Sequence, residues 1–180
     1  ILAQYKISGS NDNFVSDVHD LGTFTQTAPP DTMQYNILSN DDSYSYYRAT
    51  VLSYISRPHI RELQFYTEEG FCDSEDAMRY IGLNNYAANT LLDDPTWCAA
   101  ICNSAYFERV LNVKVPTMTS NNTPSGVCSA SSYQSIYLPW KAFDGDDSSV
   151  WFGNDGTAKH WLQYEFPSKV KIFKCVVNGF

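Results

Sequence analysis

Residues 160–166, His160-Trp161-Leu162-Gln163-Tyr164-Glu165-Phe166, read as a β-strand packed on one side: large apolar rings are interleaved with polar side chains, the two-residue period of a pleated strand. Trp161, Tyr164 and Phe166 are expected to be large core side chains. Pro167, which has no N–H to give to a ladder, is expected to end the strand. Working outward, VCSASS (127–132), AFDGDDSSVWF (142–152) and VKIFKCVV (170–177) continue the β character on both sides. The first 67 residues read the same way: ILAQYKISG, HDLGTFTQT, MQYNILSN, YSYYRATVLSYI and HIRELQFYT are short runs separated by the turn clusters SGSNDN, APPD and NDDS. Short strands between turns mean a sandwich or a barrel.

Composition agrees. The 180 residues hold 13 Tyr, 10 Phe and 4 Trp, an aromatic share of 15% that favours β-structure and leaves rings over for recognition. Twelve Lys and Arg against 20 Asp and Glu give a net charge of −8, so the mean field repels nucleic acid and anionic membranes. No run approaches the ~20 apolar residues of a membrane span. The first strand, beginning at Ile1, and the last, ending at Phe180, both read as interrupted elements.

Between the two β-rich parts the pattern changes. From about Asp73 to Asn112 the periodicity is helical, with Asp73 or Ser74 as a cap and Ala77, Met78 and Ile81 on one face. Asp93-Asp94-Pro95 starts a second helix carrying Trp97, Ile101 and Ala105. The organisation expected is therefore β over 1–67, a helical linker unit over 68–115 and β over 116–180. Five cysteines with no second pair at ligand spacing give no zinc site, and they fit synthesis in a reducing cytoplasm.

An ordered set of motifs resembles the discoidin or coagulation-factor C-type domains of the galactose-binding-like superfamily. It comprises a lead-in through Gly126-Val127-Cys128-Ser129-Ala130-Ser131-Ser132, then Ala142-Phe143-Asp144-Gly145, Ser148-Ser149-Val150-Trp151, the strand at Trp161–Phe166 and a strand over Val170–Val177. The elements that should follow stand first instead: Ser8-Gly9-Ser10-Asn11-Asp12, Tyr46-Tyr47-Arg48 and Ile60-Arg61-Glu62-Leu63-Gln64-Phe65-Tyr66. The order is rotated. Joined, the two parts make about 132 residues, close to one such domain, and two explanations compete. A unit cut from a tandem array of repeats is preferred to a circular permutation, and in an array the chain could supply the tail of one sandwich and the head of the next. The helical segment resembles linkers in tail or appendage proteins of gut bacteriophages.

The resemblance implies a mainly β fold, a jelly-roll β-sandwich of galactose-binding-like type plus the small helical segment. It also implies a structural Ca2+ held by Lys141 (carbonyl), Asp144, Asp146, Ser149 and Glu62, a chemistry suited to a hard cation that takes several oxygens. Sugar-binding candidates lie before the Asp-Gly loop, at Tyr133, Tyr137 and Trp140, and after it, at Asn154, Asp155 and His160: rings to stack on C–H faces and polar groups to bind hydroxyls. Trp151 and Trp161 are expected in the core, and Arg48 is expected to brace the sandwich. His19, His59 and His160 have no partner pattern with Cys or Ser, and no phosphate-cradling or nucleophile motif occurs, so no enzyme is expected. The expected role is a carbohydrate-binding adhesion module of a virion or cell-surface appendage, with cell-surface glycans and neighbouring copies as partners. The alternative is a purely structural building block of a phage or filament.

Overall fold

The structure, a computed structural model, describes residues 4–27, 33–54, 58–68, 111–113, 115–154 and 159–179. The chain divides into two compact units, residues 1–67 with 113–180, and residues 68–112. The helices expected from about 73 lie outside the described residues as far as 110. The end of that segment is strand: Leu111–Val113 forms β7.

In the first unit the strands are β1 (Gln4–Ser10), β2 (His19–Thr25), β3 (Gln34–Ile37), β4 (Tyr44–Ser53), β5 (His59–Ile60), β6 (Glu62–Glu68), β8 (Val127–Ala130), β9 (Trp151–Phe152), β10 (His160–Val170) and β11 (Lys174–Asn178). They form a five-stranded sheet of order β2-β1-β4-β10-β8, a second sheet in which β11 lies between β3 and β6, and a two-stranded ribbon of β5 and β9. The described residues are thus mainly β, in antiparallel sheets with a sandwich-like core.

The two β-rich parts of the sequence interleave. In the larger sheet β4 lies between β1 and β10, with Tyr5 opposite Val51 and Val51 opposite His160. In the smaller, β11 lies between β3 and β6. Front and rear segments therefore close on each other within this one chain.

The core is where these sheets face each other. Tyr5, Ile7, Tyr47, Ala49, Leu162 and Tyr164 come from one side, and Leu63, Phe65, Cys175 and Val177 from the other; all are fully buried. Tyr47 packs against Phe65 and Phe166 with ring centroids 5.5 and 5.8 Å apart. Burial of each such ring contributes about 2–3 kcal/mol. Hydroxyls sunk with the rings are paired, as buried polar groups must be. Tyr5 Oη accepts from Asn36 at 2.6 Å, while Tyr47 Oη donates to the Val170 carbonyl at 2.7 Å and accepts from Ile172 N–H at 3.1 Å.

Three sequence expectations are corrected here. Trp151 is buried as expected, but Trp161 is not core. On β10 the inward residues are His160, Leu162, Tyr164 and Phe166, so Trp161 shares its face with Gln163 and Glu165. There its ring stacks on the Arg48 guanidinium at 4.0 Å, whose other face is covered by Phe14 at 3.9 Å. Arg48 Nε and Nη2 both donate to Gln163 Oε1, so Arg48 does brace the sheet. Second, Pro167 does not end β10, which runs on to Val170; the ladder to β4 instead shifts register between Glu165 and Val170. Third, Val170–Val177 is not one strand, because residues 171–173 lie outside both β10, which ends at Val170, and β11, which begins at Lys174.

Candidate functional site

The Asp-Gly loop leaves a short 3-10 turn, Pro139–Ala142, and leads to β9. Gly145 takes φ +71°, a left-handed turn conformation open to glycine at no steric cost, and this carries its N–H to Glu62 Oε2 at 3.3 Å. Glu62 stands at the start of β6 with only 3% of its surface exposed. Its other carboxylate oxygen accepts from Gln64 Nε2 at 3.4 Å. Two long hydrogen bonds are little compensation for a buried carboxylate. Burial pushes the Glu62 carboxyl up to about 8, with the nearby Asp144 and Asp147 charges adding to the rise.

Across the loop, Ser149 Oγ lies 2.7 Å from the Lys141 carbonyl oxygen and 2.7 Å from Asp144 Oδ2. A hydroxyl has a single proton, so it donates to one of these oxygens and meets the other with no hydrogen between them. The cradle has more oxygens than protons. Glu62, Asp144, Ser149 and the Lys141 carbonyl are the kind of donor set a hard divalent cation takes, and the surplus is what such an ion would neutralise. The count of acidic side chains is low, however: among the described residues no group of three or more His, Cys, Asp or Glu side chains is placed to hold a metal.

The carboxylate of Asp146, a residue expected among the calcium ligands, is engaged within its own turn. Its Oδ1 accepts from Ser148 N–H at 2.9 Å and Ser148 Oγ at 2.6 Å, and these bonds hold its carboxyl below the usual range. Its backbone carbonyl accepts from Ser149 N–H. Sequence reasoning missed Asp147, which ties the loop to β11 and to the residue between β5 and β6. Its carboxylate accepts from Asn178 Nδ2 at 3.0 Å, and its carbonyl accepts from Arg61 Nη1 at 3.3 Å. Nothing local in DGDDSS marks it, because both partners are distant in sequence.

The expected sugar ligands separate into two groups. Tyr133 and Tyr137 belong to the loop 131–137, which is fastened to β9 and the start of β10. Gln134 N–H donates to the Phe152 carbonyl, Trp151 Nε1 donates to the Ser132 carbonyl, and the Tyr137 ring meets Phe152 edge-on at 4.7 Å. Asn154 N–H donates to Ser132 Oγ at 3.0 Å, and that oxygen lies 3.4 Å from His160 Nδ1. The structure thus links Tyr137, Asn154 and His160 through one loop, with Tyr133 46% exposed on its surface. His160 is 4% exposed and its Nε2 has no hydrogen-bond partner among the described residues. Trp140 has other neighbours: its N–H donates to Asn121 Oδ1, its ring faces Lys141 Nζ, and it packs partly on the core. Asp155 lies outside the described residues.

A scan of protein-family models, a search of curated proteins and a search of solved structures each find no match to this chain. Among the described residues no helix is long and apolar enough to cross a membrane.

Proposed function

We propose that this chain is a non-catalytic carbohydrate-binding module of discoidin type, carried on a virion appendage such as a phage tail or fibre or on a cell-surface appendage, and that a bound calcium ion braces its Asp-Gly loop. The observation that carries the sugar reading is the 131–137 loop. Its backbone is tied down by Phe152 and Trp151 and its Ser132 hydroxyl by Asn154, yet it leaves the Tyr133 ring half exposed at its surface. A fixed aromatic platform beside polar groups suits the apolar face and hydroxyls of a sugar and loses little entropy on binding. Single-site affinity of such a shallow site is weak, and several copies on one appendage supply avidity. In the calcium reading Glu62, Asp144, Ser149 and the Lys141 carbonyl hold the ion.

Titration of the intact chain against a saccharide panel tests this. Binding in the millimolar range or tighter, lost at least tenfold in Tyr133→Ala at unchanged melting temperature, is the expected result; no binding at millimolar sugar would sink it. The exposed Tyr35 and Ile37 on β3 favour a second reading, a structural building block whose apolar surface is used at subunit contacts.

A further inference from the structure

Asn178 is the last residue of β11, and in the antiparallel register with β6 it stands opposite Glu62. Residues opposite each other in such a register send their side chains to the same face of the sheet, with Cβ atoms about 5 Å apart. Both side chains are out of reach of water: Asn178 is 2% exposed and Glu62 3%. A carboxylate and a carboxamide are thus buried side by side, and groups of this kind are rarely buried unless they are paired.

The carboxamide is satisfied at one end only. Its Nδ2 donates to Asp147 Oδ1 at 3.0 Å, and because a carboxylate only accepts, that bond fixes which end of the amide is nitrogen. Its Oδ1 is left buried with no hydrogen-bond donor among the described residues, a costly state for a carbonyl oxygen. Asp147 is itself held in place, its backbone carbonyl accepting from Arg61 Nη1 at 3.3 Å, while Arg61 N–H donates to the Asn178 carbonyl at 2.8 Å. The Asp-Gly loop is therefore tied to Glu62 through Gly145 N–H and to the residue opposite Glu62 through Asp147. The unmet oxygen sits where that loop, the start of β6 and the end of β11 come together.

We infer that Asn178 Oδ1 is a further ligand of the calcium ion in the Asp-Gly cradle, and that Asp147 is the positioning residue that turns this oxygen toward it. The inference rests on the calcium reading above and adds to it a ligand that is neither acidic nor part of the loop. Two neighbouring oxygens with no proton between them repel, and one divalent ion meets both. The donor set becomes Glu62 and Asp144, with one charge each, and three neutral oxygens, from Ser149, the Lys141 carbonyl and Asn178. Two negative charges balance a divalent ion, and a set of this size approaches the about six to eight oxygens that calcium takes, asparagine carbonyls among them. The low acid count of the cradle is then no deficit, because a carboxamide stands where a third carboxylate would. The rival occupant is a proton: a neutral Glu62 carboxyl that donates to Asn178 Oδ1 needs no ion. Sugar binding plays no part in either.

Calorimetric titration of the full chain with calcium, with melting temperatures read in calcium and in chelator, tests the inference. Asn178→Leu, close in size and without the oxygen, should weaken calcium binding at least tenfold. Asn178→Asp keeps an oxygen, adds a charge and loses the donor to Asp147, so it should melt below the parent in chelator yet gain a larger rise from calcium. Asp147→Ala should weaken binding several-fold while melting close to the parent in chelator, and Asp147→Asn, which can still accept from the amide, should restore it. Calcium binding that Asn178→Leu leaves unchanged overturns the inference while the calcium reading stands, and gives the Asn178 oxygen to a proton on Glu62. No calcium binding by the parent overturns both. Where Asn178→Leu fails to fold, Asn178→Asp decides: a calcium-induced rise no larger than the parent's overturns the inference.

Discussion

Two turns of this protein are built from the same Asp, Ser and Asn or Gly residues and end in opposite electrostatic states. In the turn after β1, Asp12 is surrounded by donors. Its oxygens accept from Ser10 Oγ, from the backbone N–H groups of Val15, Ser16 and Asp17, and from Ser16 Oγ at 2.7 Å. The Ser16 hydroxyl foremost, with the backbone donors behind it, holds the Asp12 carboxyl well below the usual range. In the Asp144 loop the acceptors outnumber the donors, and the Glu62 carboxyl facing it is pushed up. The Asp12 turn meets its carboxylate with five donors; the Asp144 loop faces a buried carboxylate that has only two long hydrogen bonds, from Gly145 N–H and Gln64 Nε2.

The contrast is broken most strongly through pH. Glu62 has a folded value of about 8 against about 4.5 when unfolded, so the folded protein binds the extra proton between these limits. In chelator, stability should therefore be highest near pH 5, fall as pH rises toward 8 and level off above it, by about 4 kcal/mol in all at ~1.4 kcal/mol per unit. Thermal melts across that range check this. Glu62→Gln should flatten the slope and, at pH 8 in chelator, melt above the parent. Next in size, Asp12→Asn should lower the melting temperature equally with and without calcium. The Asp12 contribution runs the other way with pH: it is present above the unfolded carboxylate value and lost as pH falls below it. Gly145→Ala, forced into a left-handed conformation, should cost about 1 kcal/mol and weaken any calcium-induced rise in melting temperature. Smallest is Asp146→Asn, whose carboxylate serves Ser148; its calcium response in the same melts should stay within about twofold of the parent.

Much of the β architecture was legible because alternation and turn residues are local signals: β2, β3 and β4 fall within runs read from the sequence, and β1 and β10 overrun theirs, to Ser10 and to Val170. What escaped depends on partners far along the chain. Trp161 was assigned to the wrong face because both faces of β10 carry large planar groups. Only the loop that brings Phe14 onto Arg48 shows that the outer row is covered as well. Pro167 looked like a strand end, yet β10 absorbs it where its pairing with β4 is already irregular. In the candidate site, Glu62, Asp144 and Ser149 were found through the resemblance. Asp147 was not, since its bonds to Arg61 and Asn178 span 86 and 31 residues. Trp140 and Tyr133 look alike as exposed-aromatic candidates in sequence; their hydrogen-bonded neighbourhoods separate them.

The most direct test of the difference between the two turns is calorimetric titration of the intact chain with calcium at pH 7 in two buffers of different ionisation enthalpy. One site per chain is predicted, with release of close to one proton as the ion displaces the one on Glu62, and with both signals lost in Glu62→Gln and kept in Asp12→Asn. Absence of binding heat at ~10 mM calcium, together with an unchanged melting temperature, would contradict the account.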